Sequence, residues 1–530
     1  FPRQGGFRAA LLISSSLPFM KRPSIRPVAR AFPVVLALGI PLLAVTPEPA
    51  QTRVLRHENV LGTSMELRVR SRDVSVAGRA EAVALGEIDR LARVFSTYSP
   101  HSEFSRWQAS TVEALPVSAE LFAVMDLADH WRVATDGAFH PGAALLGRMW
   151  REASAAGREP DPSALADGVR RLAVAPWMLD REARVARRVG GYPVTLDAIA
   201  KGWIIEKASE RAWQLGGMES LVLEVGGDLR VRGTLPEPVA IVDPRNDDEN
   251  APAMTWVDVR DAGLATSGGY RRHSGMRGGR PSSHILDPRT GRPSEVLLGA
   301  TVVAPDAATA DALATAFNVL EPDASVRLAN STPGVACLLV LPGGRVVTNA
   351  RWPSSSRIAA ETNAPGARPG TNAAPDIDLS LSFELRSPGG RYQRPYVAAW
   401  VEDADAFPVR TLLLWVLQSQ KGQRWIPDLR RWHRSDDTRR LVDDKDMVGT
   451  VSGATRNPGK YSVRWDGKDD HGKAVKPGKY TLYLEAAREH GTYQLMKHEF
   501  TVGGEPFAVD LKGNEEIAAA RVESRRIQRP

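Results

Sequence analysis

A carboxylate and a hydroxyl lie four residues apart in the segment 305–317. Asp306 is a suitable N-cap for a helix that begins there, and such a helix puts the side chains of Asp311 and Thr315 on one face. Two oxygen ligands aimed at one point suit Mg²⁺, whose remaining ligands are commonly water and substrate phosphates. On spacing alone, an exposed aspartate beside a packed threonine is the simpler interpretation.

A second polar cluster is predicted at the start of another helix. Asp197 is its expected N-cap, and the apolar pattern continues to Leu215 before a pair of glycines ends it. Lys201 and Gly202 fall in the first turn, where free backbone N–H groups, the positive end of the helix dipole and an ammonium group converge. This arrangement is typical of an anion site.

Two further polar segments carry candidate groups. The Gly-Gly-Asp sequence at 226–228 follows an apolar run, which predicts a buried strand ending where the backbone approaches a ligand, although an ordinary turn explains two glycines equally well. The segment 265–268 precedes a second polar loop that contains His284. His284 is a candidate general base or phosphate contact, but for an isolated histidine a structural role is the more frequent one.

The elements that must position these groups follow from hydrophobic periodicity. Residues 80–95 and 121–131 place their apolar side chains on one helical face, and strand-like runs accompany them between about 52 and 350. We therefore predict an α+β domain of mixed sheets with packed helices at 52–350. Residues 377–511 alternate in strand fashion with Gly-rich turns, which predicts a small β-sandwich.

Length and composition limit the remaining classes. A chain of 530 residues exceeds one ordinary core, so two domains are expected, joined by a Ser-, Ala-, Pro- and Asn-rich linker at 351–376 and followed by a charged tail at 512–530. The net charge of +7 is spread along the chain without a concentrated basic patch, so nucleic-acid binding is not expected. Cys337 is the single cysteine, which excludes an intrachain disulfide, and its apolar neighbours predict a buried strand.

The N-terminal residues have the pattern of an export signal. Basic residues follow Met20, an apolar stretch covers 31–45, and Ala50 is a suitable small residue near a cleavage site. The apolar stretch is short for a membrane span. We therefore expect 1–50 to be an upstream extension and, from about residue 20, a signal. The rest of the chain would be in the periplasm or cell envelope, either released or retained at the inner membrane.

Taken in order, these segments resemble the ApbE family, the FAD:protein FMN transferases, over about residues 55–350. The matching pieces are Leu-Gly-Thr at 61–63, Ser-Thr-Tyr at 96–98 with 102–106, Gly-Ala-Phe at 137–139, Ala-Ile-Ala-Lys-Gly at 198–202, Gly-Gly-Asp at 226–228, Ala-Thr-Ser-Gly at 265–268, the loop 284–291, and Ala-Asp-Ala-Leu-Ala-Thr at 310–315.

The resemblance implies that the chain binds FAD as its substrate and Mg²⁺ as its metal. It implies that the metal is held by the carboxylate of Asp311, the hydroxyl of Thr315 and the backbone carbonyl of Ala198. The implied contacts to FAD are Leu61, Tyr98, Ala138, Phe139, His140, Thr195, Lys201, Asp228, Thr266 and Ser267.

The implied reaction moves FMN from FAD onto a Ser or Thr hydroxyl of an exported or membrane-anchored flavoprotein. The hydroxyl attacks the phosphorus and AMP leaves. We assign the catalytic roles to Asp311, through the metal, and to His284, which would help to deprotonate the acceptor or hold the phosphate. Two alternatives use the same flavin site: an FAD pyrophosphatase, in which water attacks, and a non-catalytic flavin-binding scaffold of an exported electron-transfer system.

The chain departs from the family pattern at four positions. Leu61 replaces a methionine, His140 and Thr195 each replace an aspartate, and Glu224 replaces an asparagine. The implied metal ligands are retained, whereas the implied flavin and adenine contacts are altered. These changes favour the scaffold alternative.

The C-terminal part resembles an uncharacterised periplasmic domain and, in its Trp-Asp-Gly pattern at 465–467, the immunoglobulin-like β-sandwiches. This resemblance implies an all-β immunoglobulin-like fold for 377–511. Within it, the Ser-Gly-Ala-Thr sequence at 452–455 looks like the acceptor motif on which such transferases place FMN, so Thr455 is a candidate for self-modification. However, Gly449 stands where the motif usually has an acidic residue, and Ser-Gly is also a common turn.

Overall fold

The computed structural model describes residues 49–525 apart from position 113 and the segments 270–272, 278–279, 354–356, 359–376, 387–392, 418–419, 444–445 and 489–490. The predicted signal at 1–50 and linker at 351–376 therefore lie almost entirely outside the described residues.

The first part of the chain mixes strands and helices, as predicted. Its elements in chain order are β1 (Gln51–Val60), β2 (Thr63–Ser71), α1 (Val74–Phe95), α2 (Glu103–Ala109), β3 (Ala114–Pro116), α3 (Ala119–Ala134), α4 (Ala143–Ala155), α5 (Pro162–Leu172), β4 (Trp177–Asp180), β5 (Val185–Arg188), α6 (Ala200–Trp213), β6 (Met218–Val225), β7 (Asp228–Arg232), β8 (Glu237–Val242), β9 (Ala253–Val259), β10 (Gly263–Ser267), β11 (His273–Arg277), β12 (Arg280–Ser283), β13 (Gly299–Ala304), α7 (Ala307–Phe317), α8 (Pro322–Ser331), β14 (Ala336–Val340), β15 (Val346–Thr348) and β16 (Arg357–Ile358).

The central sheet has eight antiparallel strands in the order β1-β2-β6-β7-β10-β13-β14-β15. Successive side chains of a strand point to opposite faces of the sheet. Met65 and Val225 lie in the core formed with α1, α6 and α7, and we call this side the helix face. Val222 and Leu229 pack on the side that carries the small sheet β16-β9-β8, which we call the far face.

Both helices predicted from periodicity are confirmed, and both are longer than their patterns. α1 begins at Val74, where the side chain of Asp73 accepts a hydrogen bond from the Ser75 N–H. Its buried residues, from Val76 to Phe95, form the stripe that packs on the helix face. Cys337 is buried in β14, as its apolar neighbours predicted.

The second part is a sandwich of two sheets, which confirms the all-β prediction. Its elements are β17 (Asp378–Leu385), β18 (Tyr396–Asp403), β19 (Pro408–Trp415), α9 (Gln420–Gln423), a 3₁₀ turn (Ile426–Asp428), α10 (Arg430–Arg440), α11 (Met447–Thr450), β20 (Ser452–Gly453), β21 (Gly459–Trp465), β22 (Gly478–Ala487), β23 (Tyr493–Val502), β24 (Ala508–Lys512) and β25 (Ile517–Arg525). The sheets are β21-β17-β25-β24 and β20-β19-β18-β22-β23.

A short helical insertion, which the strand pattern did not predict, follows β19. Its main helix, α10, has no side-chain cap of its own. The buried carboxylate of Glu485 on β22 instead accepts hydrogen bonds from the N–H groups of Arg431, at 2.9 Å, and Trp432, at 2.8 Å. A residue far away in the sequence therefore supplies the cap that the helix lacks.

Two expectations about element boundaries are corrected. Asp197 is not an N-cap: α6 begins at Ala200, its N-cap is Ile199, and the side chain of Asp197 instead accepts a hydrogen bond from Thr97 Oγ1 at 3.1 Å. The segment expected as a charged tail, 512–530, contains β25, which pairs along β17. Its alternating Ile517 and Val522 fill the sandwich core, and this outweighs the polar composition of the segment.

None of the helices in the described part of the chain is both long and apolar enough to span a membrane.

Candidate active site

Asp311 lies in the middle of α7, in a buried environment. The side chain of Asp306 caps this helix by accepting a hydrogen bond from the Thr309 N–H at 2.8 Å, as predicted. The Asp311 side chain is directed at the start of α6, where its Oδ2 accepts a hydrogen bond from the Gly202 N–H at 3.0 Å. The two helices predicted to carry the metal and anion groups therefore meet at these residues.

The contact between the two helices depends on Gly202. The N–H groups of the first helical turn have no partner within the helix, and Ile199 offers no capping side chain, so Asp311 satisfies one of these donors from α7. A Cβ atom at position 202 would lie 2.3 Å from the carbonyl oxygen of Ala307. Only glycine permits so close an approach.

Lys201 and Asp228 form an ion pair beside Asp311. The distance from Lys201 Nζ to Asp228 Oδ2 is 2.6 Å, and the Asp228 side chain is buried whereas that of Lys201 is 31% exposed. Asp228 begins β7 directly after a two-residue turn in which both Gly226 and Gly227 have positive φ, of 60° and 92°. Such a hairpin turn favours glycine at both positions.

The cluster places two carboxyl groups, those of Asp311 and Asp228, beside one ammonium group, that of Lys201. Burial and the nearby Asp228 carboxylate raise the pKa of Asp311 to about 7, against the lowering effects of Lys201 and the Gly202 N–H. Burial likewise raises the pKa of Asp228, while the ammonium of Lys201 and the backbone N–H of Thr266 lower it. Two buried carboxylates share one ammonium, which favours the binding of a further cation.

The donor set fits a magnesium ion. Asp311 supplies a carboxylate, Thr315 lies one turn further along α7, and Ala198 precedes Ile199, whose carbonyl is the first of α6 to accept a helical hydrogen bond. All three offer the hard oxygen ligands that Mg²⁺ prefers. Within the described residues no group of three or more His, Cys, Asp or Glu side chains is arranged to hold a metal.

Sequence reasoning missed the residue that fixes the geometry of this cluster. Glu206, one turn along α6 from Gly202, accepts a hydrogen bond from the Ala307 N–H at 3.0 Å and pairs with Arg230 at 3.0 Å and Arg232 at 2.5 Å. It thereby joins α6 to the start of α7 and to β7. Its position one helical turn after the anion-site residues was the available signal, but only the fold shows what it contacts.

The tip of the β1–β2 hairpin adjoins the turn that precedes Asp228. Leu61 and Gly62 both have positive φ, of 50° and 79°. The Gly226 N–H donates to the Ser64 carbonyl at 3.0 Å, and a Cβ atom at Gly226 would lie 2.7 Å from the Thr63 side chain. The structure therefore brings the hairpin that carries Leu61 next to the Gly-Gly turn.

Two other predicted contacts lie near the residues that enter α6. Tyr98 is 90% exposed and follows Thr97, whose hydroxyl binds Asp197. The Thr195 N–H donates to the Pro141 carbonyl at 2.9 Å, so the segment after His140 also reaches this entry. Tyr98, Thr195 and the 138–141 segment are thus gathered around one end of α6.

His140 has both ring nitrogens engaged within the fold. The Gly142 N–H donates to Nδ1 at 2.9 Å, so Nε2 carries the proton and donates to the Leu172 carbonyl at 3.0 Å. Burial, with a smaller effect of the nearby Arg132, lowers the pKa of His140 to about 4, against the raising effect of its hydrogen bond to the Leu172 carbonyl. The preceding Ala138 and Phe139 are also buried. His140 therefore holds this segment in place as a neutral side chain.

The remaining predicted residues lie on β10 and in the loop beyond it, and the backbone N–H of Thr266 on β10 reaches the Asp228 carboxylate. Thr266 Oγ1 lies 3.0 Å from Thr301 Oγ1, and the Ser267 carbonyl accepts a hydrogen bond from Asn318 at 2.9 Å. His284 is exposed, on a loop whose Arg289 donates to the Val319 carbonyl after α7. The contacts described here do not join His284 to the Asp311 cluster.

Glu224 and Thr455 lie on the far-face side of the central sheet. Glu224 pairs across the sheet with Glu66, and both line a far-face cavity of about 210 Å³ that residues 452–454 of the second part also line. Burial, and then the facing Glu66, raise the pKa of Glu224. Thr455 is 4% exposed, and its hydroxyl donates to the Glu58 carboxylate at 2.5 Å.

Comparison with known proteins identifies both parts of the chain. The sequence profile of the ApbE family matches residues 61–339, and that of a family described as predicted periplasmic proteins (DUF2271) matches 378–519. A FAD:protein FMN transferase of Vibrio cholerae serotype O1 is 30% identical over 314 residues, which cover 57% of this chain and 91% of the relative. One of Haemophilus influenzae is 29% identical over 265 residues, which cover 48% and 76%.

A solved structure agrees with these matches. The crystal structure of an ApbE protein from Thermotoga maritima superposes on this chain with a TM-score of 0.50 and 27% sequence identity. The superposition covers 57% of this chain and 97% of the Thermotoga protein. The chain therefore belongs to the ApbE family of flavin transferases and carries a β-rich domain of the predicted periplasmic type behind the transferase domain.

Proposed function

We propose that this protein transfers FMN from FAD to a Ser or Thr hydroxyl of a separate exported flavoprotein and releases AMP. The observation that carries the proposal is the buried cluster of Asp228, Lys201 and Asp311 at the start of α6. Helix N-termini bind phosphates through their free N–H groups and their dipole. At the N-terminus of α6, the carboxyl groups of Asp228 and Asp311 support the binding of a divalent cation, which would bridge to the substrate.

Each residue of the cluster has a separate task in this proposal. The ammonium of Lys201 is held by the buried Asp228, and the Lys201 side chain is 31% exposed, so it would bind a pyrophosphate oxygen from its exposed side. Asp311, Thr315 and the Ala198 carbonyl would hold Mg²⁺. Bound there, the metal would neutralise the charge that develops on the phosphate oxygens.

The reaction is an in-line displacement. The acceptor oxygen forms a bond to the FMN phosphorus, the bond from that phosphorus to AMP breaks, and AMP leaves with the electron pair. The hydroxyl proton passes to a base, for which exposed His284 remains our candidate. The burial of Thr455 and its bond to Glu58 favour an acceptor on another protein over self-modification.

The test incubates residues 51–530 with FAD, with or without magnesium chloride, and with or without an exported flavoprotein domain as acceptor. Flavin fluorescence that survives on the acceptor in a denaturing gel, together with released AMP, supports the proposal. Asp311→Asn should abolish both signals, whereas the matched control Asp323→Asn, an exposed position of α8, should not. Released AMP without a fluorescent band would indicate a pyrophosphatase, and bound FAD without AMP would indicate a scaffold; either result contradicts transfer.

A further inference from the structure

The edge strand β1 carries an irregular, strained segment just before the hairpin tip. The β1–β2 register shifts between His57 and Val60, so Glu58 and Asn59 form a bulge, and bulges redirect side chains. Asn59 and Leu61 have positive φ, of 61° and 50°. Non-glycine residues keep such conformations only where surrounding contacts hold them.

The second domain supplies those contacts. The Glu58 carboxylate accepts two hydrogen bonds from a single residue of that domain, one from the Thr455 N–H at 2.8 Å and one from the Thr455 hydroxyl at 2.5 Å. Hydrogen bonds to an ionised acceptor are among the stronger ones, and these two are shielded by the burial of Thr455.

Neighbouring contacts keep Thr455 in place. The Arg456 guanidinium pairs with Glu249 at 3.0 Å and lies over the Trp415 ring, 5.4 Å from its centroid. The Glu249 N–H donates to the Ser462 carbonyl at 2.9 Å on the edge strand β21. Thr455 and the residue that follows it are thus both fixed to the transferase domain.

We call the two hydrogen bonds between Glu58 and Thr455 the clamp. The β1–β2 hairpin connects the clamp to the candidate active site. The tip that Glu58 precedes is bonded to the Gly-Gly turn through Ser64 and Gly226, and that turn leads directly into Asp228. We propose that Thr455 is a positioning residue: the second domain holds the β1–β2 hairpin from the far face so that Leu61 and the Gly-Gly turn are set for FAD. This inference rests on the proposed flavin site and assigns to the second domain a part in substrate binding.

The proposal predicts an effect on binding more than on turnover. Thr455→Val removes the hydroxyl bond to Glu58 and should raise the Kd and the KM for FAD about five- to tenfold, while kcat stays within about twofold. Thr455→Ser retains the hydroxyl and should restore wild-type values. The matched control Thr501→Val, at an exposed position of β23, should change none of them.

The measurements are the Kd for FAD from flavin fluorescence and the kinetics of acceptor labelling, both on residues 51–530 with both domains present. Glu58→Ala removes both bonds, so it should raise the Kd at least as much as Thr455→Val does, and adding Thr455→Val to Glu58→Ala should change the Kd no further. Equal Kd values for Thr455→Val and wild type, or a Thr455→Ser variant as impaired as Thr455→Val, would overturn the proposal.

The two proposals fail in different ways. A wild-type protein that binds FAD but labels no acceptor contradicts the proposed transfer, and the Kd series still decides the clamp. Fluorescence on the protein's own chain that disappears in Thr455→Val shows an acceptor and contradicts the positioning role. A wild-type protein that does not bind FAD contradicts both.

Discussion

At the scale of single residues, burial is the largest influence on the charge states of Asp311 and His140. Burial raises the pKa of Asp311 and lowers the pKa of His140, and both changes favour the neutral form of the side chain. Asp311 has a carboxylate neighbour and an ammonium nearby, which suits a metal site. His140 has its ring nitrogens satisfied by backbone groups, which suits a structural part.

His140 predicts a pH-dependent stability. Its pKa is about 4 in the folded chain and about 6.5 in the unfolded one, so the unfolded state binds the proton first as pH falls from 6.5 toward 4. The stabilising effect of the neutral ring is therefore complete above about pH 6.5 and is lost below it, by about 1.4 kcal/mol per pH unit.

Urea unfolding followed by tryptophan fluorescence at pH 7 and pH 5 tests this effect. In His140→Gln the stability difference between the two pH values should shrink by about 2 kcal/mol relative to wild type. His101→Gln, at an exposed position, controls for the loss of an imidazole. An unchanged difference in His140→Gln would show that this ring does not titrate as its burial requires.

At the scale of elements, the site exists because α6 and α7 approach closely enough for one to cap the other. Gly202 permits that approach. Gly263 permits a similar approach of β10 to the start of α7, since a Cβ atom there would lie 2.5 Å from the Ala307 Cα. Glu206 then ties α6 to the first N–H of α7. The junction of the two helices is thus built from one glycine, Gly202, and two carboxylates, those of Asp311 and Glu206.

Gly202→Ala should damage both stability and the site. The added methyl meets backbone atoms of Ala307 and Ala308, which cannot rotate away, so the helices must separate and the bond from Asp311 to residue 202 must lengthen. We expect the free energy of unfolding to fall by about 1–3 kcal/mol, and the rate at which the acceptor is labelled with flavin to fall as well.

The matched control is Gly86→Ala in α1. A Cβ atom there has no neighbour within 4 Å, so alanine should be neutral or stabilising by up to about 1 kcal/mol. Denaturant titration and acceptor labelling of both variants give the comparison. A Gly202→Ala protein as stable and active as wild type would show that the helices are not fixed at this spacing.

At the scale of the whole molecule, the described residues of both domains belong to one compact unit. The loop after β8 joins them: the Asn250 side chain donates to the Arg464 carbonyl at 2.7 Å and accepts from the Arg464 N–H at 3.0 Å. Together with the Arg456–Glu249 pair, these bonds cover the edge strand β21, which would otherwise present unpaired backbone groups.

Breaking this junction should uncouple the two domains. In wild type we expect a single calorimetric unfolding transition, because polar contacts and the clamp on Glu58 join the domains. In Arg456→Met/Asn250→Ala the transition should split or broaden toward two, with a lower first midpoint. The control Arg521→Met removes surface ion pairs to Asp510 on β24 and Glu523 on β25, both within the second domain, and should keep one transition. Two transitions already present in wild type would contradict the coupling.

The sequence by itself determined the local features. The Asp306 cap, the one-turn spacing of Asp311 and Thr315, and the Gly-Gly turn before Asp228 all depend on hydrogen bonds and side-chain periodicity within a few residues, and these are visible in the order of residue types. The strand alternation of the second domain is equally local, and it predicted the sandwich.

Only the tertiary structure decided which of these features meet. The Asp311–Gly202 bond joins residues 109 positions apart and the Glu58–Thr455 bond residues 397 apart, so no local pattern records either one. The same packing placed the start of α6 after Asp197 and drew the charged segment of β25 into a sheet. Contacts of this kind depend on which faces bury the most apolar surface together, and that is a property of the whole chain.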